Sequence, residues 1–143
     1  MSDKAFFDTN IFVYLYADKE PDKQMISKEI INKADECITS TQILNEINNV
    51  MIKKWRMSAE AVKTIQNDIR RISNVMYINE DIIDKAIELN DKYKFAYYDC
   101  LMLSSALDSH CGILYTEDMN NGQIIDGILK IVNPFIIGEY RKK

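Results

Sequence analysis

Asp8, Glu46, Asp99 and Asp118 are the side chains through which this sequence could do chemistry. Each is an acid placed at the end of a predicted strand or on a predicted helix with an apolar face. Taken singly, all four have ordinary explanations: Asp8 and Asp118 as turn formers, Asp99 as a helix N-terminal acid favoured by the dipole, and Glu46 as a boundary charge. Taken together, one site could collect them. A cluster of carboxylates is tolerable only if some are protonated or a cation neutralises them. All-oxygen ligand sets suit magnesium or manganese. The lone histidine, His110, reads as a polar residue near a helix C-terminus, and Cys37, Cys100 and Cys111 as reduced filler, so neither a zinc site nor a disulfide framework is expected.

The elements that must position these acids follow from hydrophobic periodicity. Residues 4–8 read as a short buried strand, followed by a helix over 11–17 and, after Pro21, a second over 22–35. Cys37 and Ile38 suggest a very short strand. Ser40 or Thr41 then caps a helix through about Arg56, on which Ile43, Leu44, Ile47, Val50, Met51 and Trp55 form the core stripe and Glu46 lies on its flank. Ser58 caps a helix ending near Ile72, residues 75–78 read as the third strand, and Asn79 opens a helix through Tyr93. The following helix carries Asp99 in its first turn and is apolar or small on nearly every side from Leu101 to Leu107. Residues 112–116 and 128–132 give a fourth and a fifth strand.

Short strands alternating with helices predict an α/β fold: a central, mainly parallel sheet of about five strands with helices on both faces. Such sheets hold ligands at the carboxyl ends of their strands, where Asp8 and Asp118 fall.

The chain has 143 residues, 47% hydrophobic and 28% charged, which is enough for a single domain spanning 1–143 with its own core. The absence of any apolar run near the roughly 20 residues of a membrane span, and of a secretory leader, predicts a cytoplasmic protein with no membrane association. The net charge of −4 is unevenly spread. Lys53, Lys54, Arg56, Lys63, Arg70 and Arg71 face only Glu60 and Asp68 over residues 53–71, a local +4 that could attract phosphate or simply form a solvated helix face. The basic tail 139–143 is expected to fray.

With these residues in place, the chain resembles a PIN-domain ribonuclease and, within that group, the VapC-like toxins of type II toxin–antitoxin systems. The resemblance rests on Phe7-Asp8-Thr9-Asn10, on the run from Ser40 to Glu46, on Tyr97-Tyr98-Asp99 before an apolar helix, and on Leu114-Tyr115-Thr116-Glu117-Asp118. It extends through the run from Asn121 to Gly127 and Val132-Asn133-Pro134-Phe135, nearly the whole chain. The resemblance implies a three-layer α/β/α sandwich in which Asp8, Glu46, Asp99 and Asp118 bind Mg2+ or Mn2+, supported by Thr9, Asn10 and Thr116; the adjacent Glu117 is the alternative to Asp118 as the fourth acid. It further implies hydrolysis of RNA to a 5′-phosphate and a 3′-hydroxyl, a homodimer, and a small antitoxin as partner. Lys53, Lys54 and Arg56 are candidate RNA contacts. Ala96, where a serine is frequent, and Cys100, where alanine is usual, depart from the pattern without removing a carboxylate.

Two other readings compete. A non-catalytic α/β module binding nucleic acid or protein would leave the acids structural and insensitive to magnesium. An aspartate-nucleophile phosphatase would also place Asp8 after the first strand, but its chemistry normally wants a second acid two residues on, where this chain has Asn10. Phe12, Tyr14, Tyr16 and Trp55 could line an interface, although core packing is the commoner role at helical spacing.

Overall fold

The computed structural model describes residues 4–136. Six strands form one sheet: β1 (Lys4–Phe7), β2 (Glu36–Ser40), β3 (Asn74–Met76), β4 (Ile113–Tyr115), β5 (Ile124–Ile125) and β6 (Leu129–Val132). The helices are α1 (Thr9–Tyr16), α2 (Pro21–Lys33), α3 (Thr41–Asn49), α4 (Ala59–Ile72), α5 (Glu80–Tyr93) and α6 (Tyr97–Asp108). The architecture is the expected three-layer α/β/α sandwich. In the strand order β3-β2-β1-β4-β6-β5, every neighbouring pair is parallel except β5 with β6. From β1 the order runs one way to β2 and the other way to β4, which makes the carboxyl end of β1 the switch point of the sheet. Asp8 is the first residue beyond it.

Local sequence explains most boundaries. Asp8, Ser40, Ser58 and Asn79 cap α1, α3, α4 and α5 with their side chains. Ser40 is the cap of α3, while the Thr41 hydroxyl accepts from Ile78 N at 3.3 Å and ties the end of β3 to that helix. Pro21 occupies the first turn of α2, where its missing N–H costs nothing. In α6 every residue from Cys100 to Ala106 is buried, as its apolar sequence demands. No side chain caps that helix, because Ala96 stands at its N-cap. All three cysteines are free and buried. Burial pushes the Cys37 and Cys111 thiols up to about 12, which leaves them inert.

Two expectations need correction. The helix expected through Arg56 ends as an α-helix at Asn49 and continues over Val50–Lys54 as a π-helical stretch, closed by Trp55 N donating to Val50 O at 3.1 Å. The wider turn keeps Met51 in the core and releases Lys53 and Lys54 to solvent. The sheet has six strands, since residues 124–125 pair antiparallel with β6 across a tight turn with positive φ at both Asp126 and Gly127. That backbone is the one Asp-Gly favours in hairpins. Phe12 is fully buried and Tyr14, Tyr16 and Trp55 half-buried, so the large apolar groups exposed to solvent are others, Tyr77, Tyr98, Ile87 and Ile128 among them. His110 lies just past α6 in the left-handed region, donating its backbone N–H to Leu107 O at 3.0 Å. The basic tail 139–143 lies outside the described residues. No helix among the described residues is long and apolar enough to cross a membrane.

Candidate functional site

The site is built outward from Asp8. Its backbone N–H still donates to Tyr115 O of β4 at 3.1 Å, so its side chain is presented in the crevice where β1 and β4 diverge. The carboxylate accepts from Thr9 N at 2.6 Å and from the Thr116 hydroxyl at 2.7 Å. Despite these bonds its pKa is pushed up to about 6, chiefly by burial, with the negative charges of Glu46 and Asp118 adding to the rise. The site thus costs Asp8 more as an anion than two hydrogen bonds return.

Glu46 enters from α3, one turn after Gln42. The Thr9 hydroxyl donates to its Oε1 at 2.5 Å and Gln42 Nε2 to its Oε2 at 3.1 Å. Asp118 comes from the turn after β4, where Asn10 Nδ2 donates to its Oδ2 at 2.7 Å and its backbone N–H donates to the Thr116 hydroxyl at 3.2 Å. Asp99 stands in the first turn of α6, half-buried, and among the described residues its carboxylate accepts no hydrogen bond. Its pKa is raised, first by burial and then by the charges of Asp118 and Glu46. Glu46 and Asp118 therefore each face both Asp8 and Asp99, and the four acids form a ring of mutual repulsion.

The three supporting residues divide the work. Thr9 holds Glu46, Asn10 holds Asp118 and Thr116 holds Asp8. Sequence reasoning missed a fourth, Gln42. Its Nε2 bridges Glu46 and the Tyr98 carbonyl, 3.1 Å to each, joining the helix that carries Glu46 to the turn that presents Asp99. The i, i+4 spacing of Gln42 and Glu46 was the available signal. Of the two adjacent acids after β4, Glu117 is drawn away: it pairs with Lys23 at 3.0 Å and accepts from the Tyr14 hydroxyl. Asp118 is the one that faces the ring.

The donor set is all oxygen, which fits a hard divalent cation. Gln42 Oε1, beside Glu46, is buried and accepts no hydrogen bond among the described residues. Among those residues no three acidic, histidine or cysteine side chains close around a common point, so the carboxylates stand at electrostatic and not chelating range.

Lys53, Lys54 and Arg56 are exposed on and just beyond the π-helical continuation of the helix bearing Glu46. Arg71 is paired with Asp68, and Arg70 donates to Asn67 at 3.2 Å, so part of the basic stretch is neutralised or engaged locally.

A family model described as the PIN domain matches residues 5–121. A comparison with curated protein sequences finds no match. Solved structures agree in fold: a toxin–antitoxin complex from Klebsiella pneumoniae aligns with TM-score 0.69 and 22% identity over 92% of this chain and 98% of that one. VapBC2 from Rickettsia felis, bound to a DNA fragment from its promoter, aligns with TM-score 0.64 and 15% identity over 90% of this chain and 98% of its own. VapC20 from Mycobacterium tuberculosis, described as a Sarcin-Ricin loop cleaving toxin, aligns with TM-score 0.61 and 17% identity over 80% and 90% of the two chains.

Proposed function

Since this chain belongs to the PIN-domain family, we propose that it is a divalent-metal-dependent endoribonuclease, a single nuclease domain spanning 1–143 that acts as the toxin of a toxin–antitoxin pair. One observation carries the reading most directly. The buried Asp8 carboxylate, at the switch point of the sheet, lies within electrostatic reach of two further acids, and none of its partners among the described residues is a basic side chain.

Asp8, Glu46, Asp99 and Asp118 would hold Mg2+ or Mn2+. When bound, such an ion lowers the pKa of an attacking water and offsets charge on the departing oxygen. The remaining work falls to the chain. Thr9, Asn10, Thr116 and Gln42 fix the direction of three of the carboxylates, and a carboxylate of the ring not engaged by the ion could accept a proton from the attacking water. Lys53, Lys54 and Arg56 offer exposed positive charge to the RNA backbone. The toxin–antitoxin assemblies among the similar folds support a small antitoxin as partner; the proposal also carries the homodimer and cytoplasmic setting expected from the sequence.

The test is cleavage of RNA by the purified protein with Mg2+ or Mn2+, beside Asp8→Asn and Asp99→Asn. The proposal expects cleavage that EDTA stops and that both variants lose while remaining folded by circular dichroism. Full activity in either variant, or cleavage indifferent to EDTA, would contradict it.

A further inference from the structure

Two carboxylates, Glu117 and Asp118, sit side by side on the turn after β4, and a short turn cannot aim both into the ring. The structure separates them by giving Glu117 its own partners. Lys23 Nζ lies 3.0 Å from Glu117 Oε2, and the Tyr14 hydroxyl donates to Glu117 Oε1. The same ammonium donates to the Tyr14 hydroxyl at 3.2 Å and sits 4.7 Å from the Tyr14 ring centroid and 5.2 Å from that of Phe135. The two rings meet edge to face at 5.0 Å. Lys23 and Glu117 are only 31% and 19% exposed, so the pair is better shielded from solvent than an ordinary surface ion pair. On its other side the turn is held by Asn10 and Thr116, which bond to Asp118.

We infer that Lys23 and Tyr14 are positioning residues for the metal site: by anchoring Glu117 they fix the turn so that Asp118, and not its neighbour, faces Asp8 and Asp99. The inference rests on the reading of the four acids as metal ligands. Released from Lys23, Glu117 would add its charge to an already repulsive ring and let the turn sample orientations in which Asp118 no longer points inward.

Long-range electrostatics makes the opposite prediction, which gives the test its discrimination. Removing a lysine makes the surroundings more negative and by itself strengthens cation binding. The experiment is isothermal titration of Mn2+ into the wild type, Lys23→Met, Lys23→Arg, Tyr14→Phe, Glu117→Ala and the Lys23→Met/Glu117→Ala double variant, with thermal melts in the absence of metal as the control for folding. Lys23→Met is expected to weaken Mn2+ binding by roughly threefold to tenfold, the range a partly shielded, hydrogen-bonded ion pair supports. Tyr14→Phe should weaken it less, and Lys23→Arg should restore most of the loss. In the Glu117→Ala background, Lys23→Met should add nothing, because the lysine acts through that carboxylate. Unchanged or tighter Mn2+ binding in Lys23→Met, whether or not its melting temperature falls, overturns the positioning role alone. So does an equal loss in the Glu117→Ala background. A wild type that binds no Mn2+ overturns the metal-site reading and this inference with it.

Discussion

Asp8 and Asp126 are both aspartates at tight places in the chain beside the sheet, yet the fold treats them in opposite ways. Asp126, in the hairpin turn between β5 and β6, receives Lys85 and Lys92 at 3.0 Å each and the Tyr93 hydroxyl at 3.0 Å, while its own N–H donates to Tyr93 Oη at 2.8 Å. The Lys85 and Lys92 contacts pull its pKa down to about 2. Asp8, buried at the switch point, has two hydrogen bonds and two acidic neighbours, and its pKa rises to about 6. Asp126 is an anion the fold uses to fasten the hairpin to α5. Asp8 is an anion the fold strains to keep, and such strain points to a ligand that compensates it.

Substitution of Asp8 should therefore abolish activity while stabilising the metal-free fold, and substitution of Asp126 should spare activity while destabilising it. The largest expected effect is on catalysis: Asp8→Asn lowers metal-dependent RNA cleavage by roughly a thousandfold or more, the scale set by removing a group that holds catalytic charge. Asp126→Asn should leave the rate within about twofold, since the residue lies outside the ring of acids. A gel-based cleavage assay on both variants checks the pair. If Asp126→Asn were as damaging as Asp8→Asn, the hairpin would belong to the site and the distinction would fail.

Stability without metal should show the reverse. Asparagine caps α1 as well as aspartate does and removes the repulsion, so Asp8→Asn should stabilise the metal-free protein at pH 7.5 by an amount on the order of 1–2 kcal/mol. Asp126→Asn should lower Tm by roughly 3–5 °C through loss of its ion pairs. Differential scanning calorimetry in EDTA measures both.

The signs of the pH dependence also differ. The folded pKa of Asp8 lies above its unfolded value near 4, so the folded state binds the extra proton. Its favourable contribution is complete below about pH 4 and is lost as pH rises through about 6. Asp126, with its folded pKa near 2, contributes above about pH 4 and loses that contribution as pH falls toward 2. Denaturant melts from pH 2 to 8 should place the gain of Asp8→Asn over the wild type above pH 6 and shrink it to nothing near pH 4. A gain independent of pH would refute the assignment of the strain to Asp8. Metal affinity should fall below pH 6 for the same reason, because a protonated Asp8 is a poor ligand.

The smallest effects should come from the basic surface. Replacing Lys53, Lys54 or Arg56 singly by alanine is expected to weaken RNA binding by roughly twofold to fivefold and to lower the salt slope by about one per residue. Fluorescence anisotropy at several salt concentrations would show this. An unchanged salt slope would leave the stretch as a solvated helix face.

The two regions also differ in how far they could be read from sequence. Strand β1 running up to Asp8, the caps Ser40, Ser58 and Asn79, and the buried, apolar or small α6 were legible because each depends on neighbours in the chain. The association of the four acids required the sheet topology, which short alternating strands and helices supply. Asp118 was the least predictable corner, since its neighbour Glu117 could equally have filled it, and Glu46 rested on inferred helix geometry, with Gln42 joining it to the Tyr98 carbonyl 56 residues from Gln42. The fastening of Asp126 by Lys85 and the capture of Glu117 by Lys23 join charges 41 and 94 positions apart, and no local pattern announces either. The hairpin did carry a local signal in Asp126-Gly127, masked by the stronger apolar run that follows. The π-helical stretch after Asn49 had none, because the apolar stripe around it fits an α-helix equally well.

The central claim is that the ring around Asp8 binds a divalent cation and the cluster around Asp126 does not. It is tested most directly by following Tm against Mn2+ concentration at pH 7.5 for the wild type, Asp8→Asn and Asp126→Asn. The account predicts that Tm climbs with Mn2+ for the wild type and, from a lower start, in parallel for Asp126→Asn, while Asp8→Asn begins higher and stays flat. A wild-type Tm indifferent to Mn2+, or an equal climb in Asp8→Asn, would contradict it.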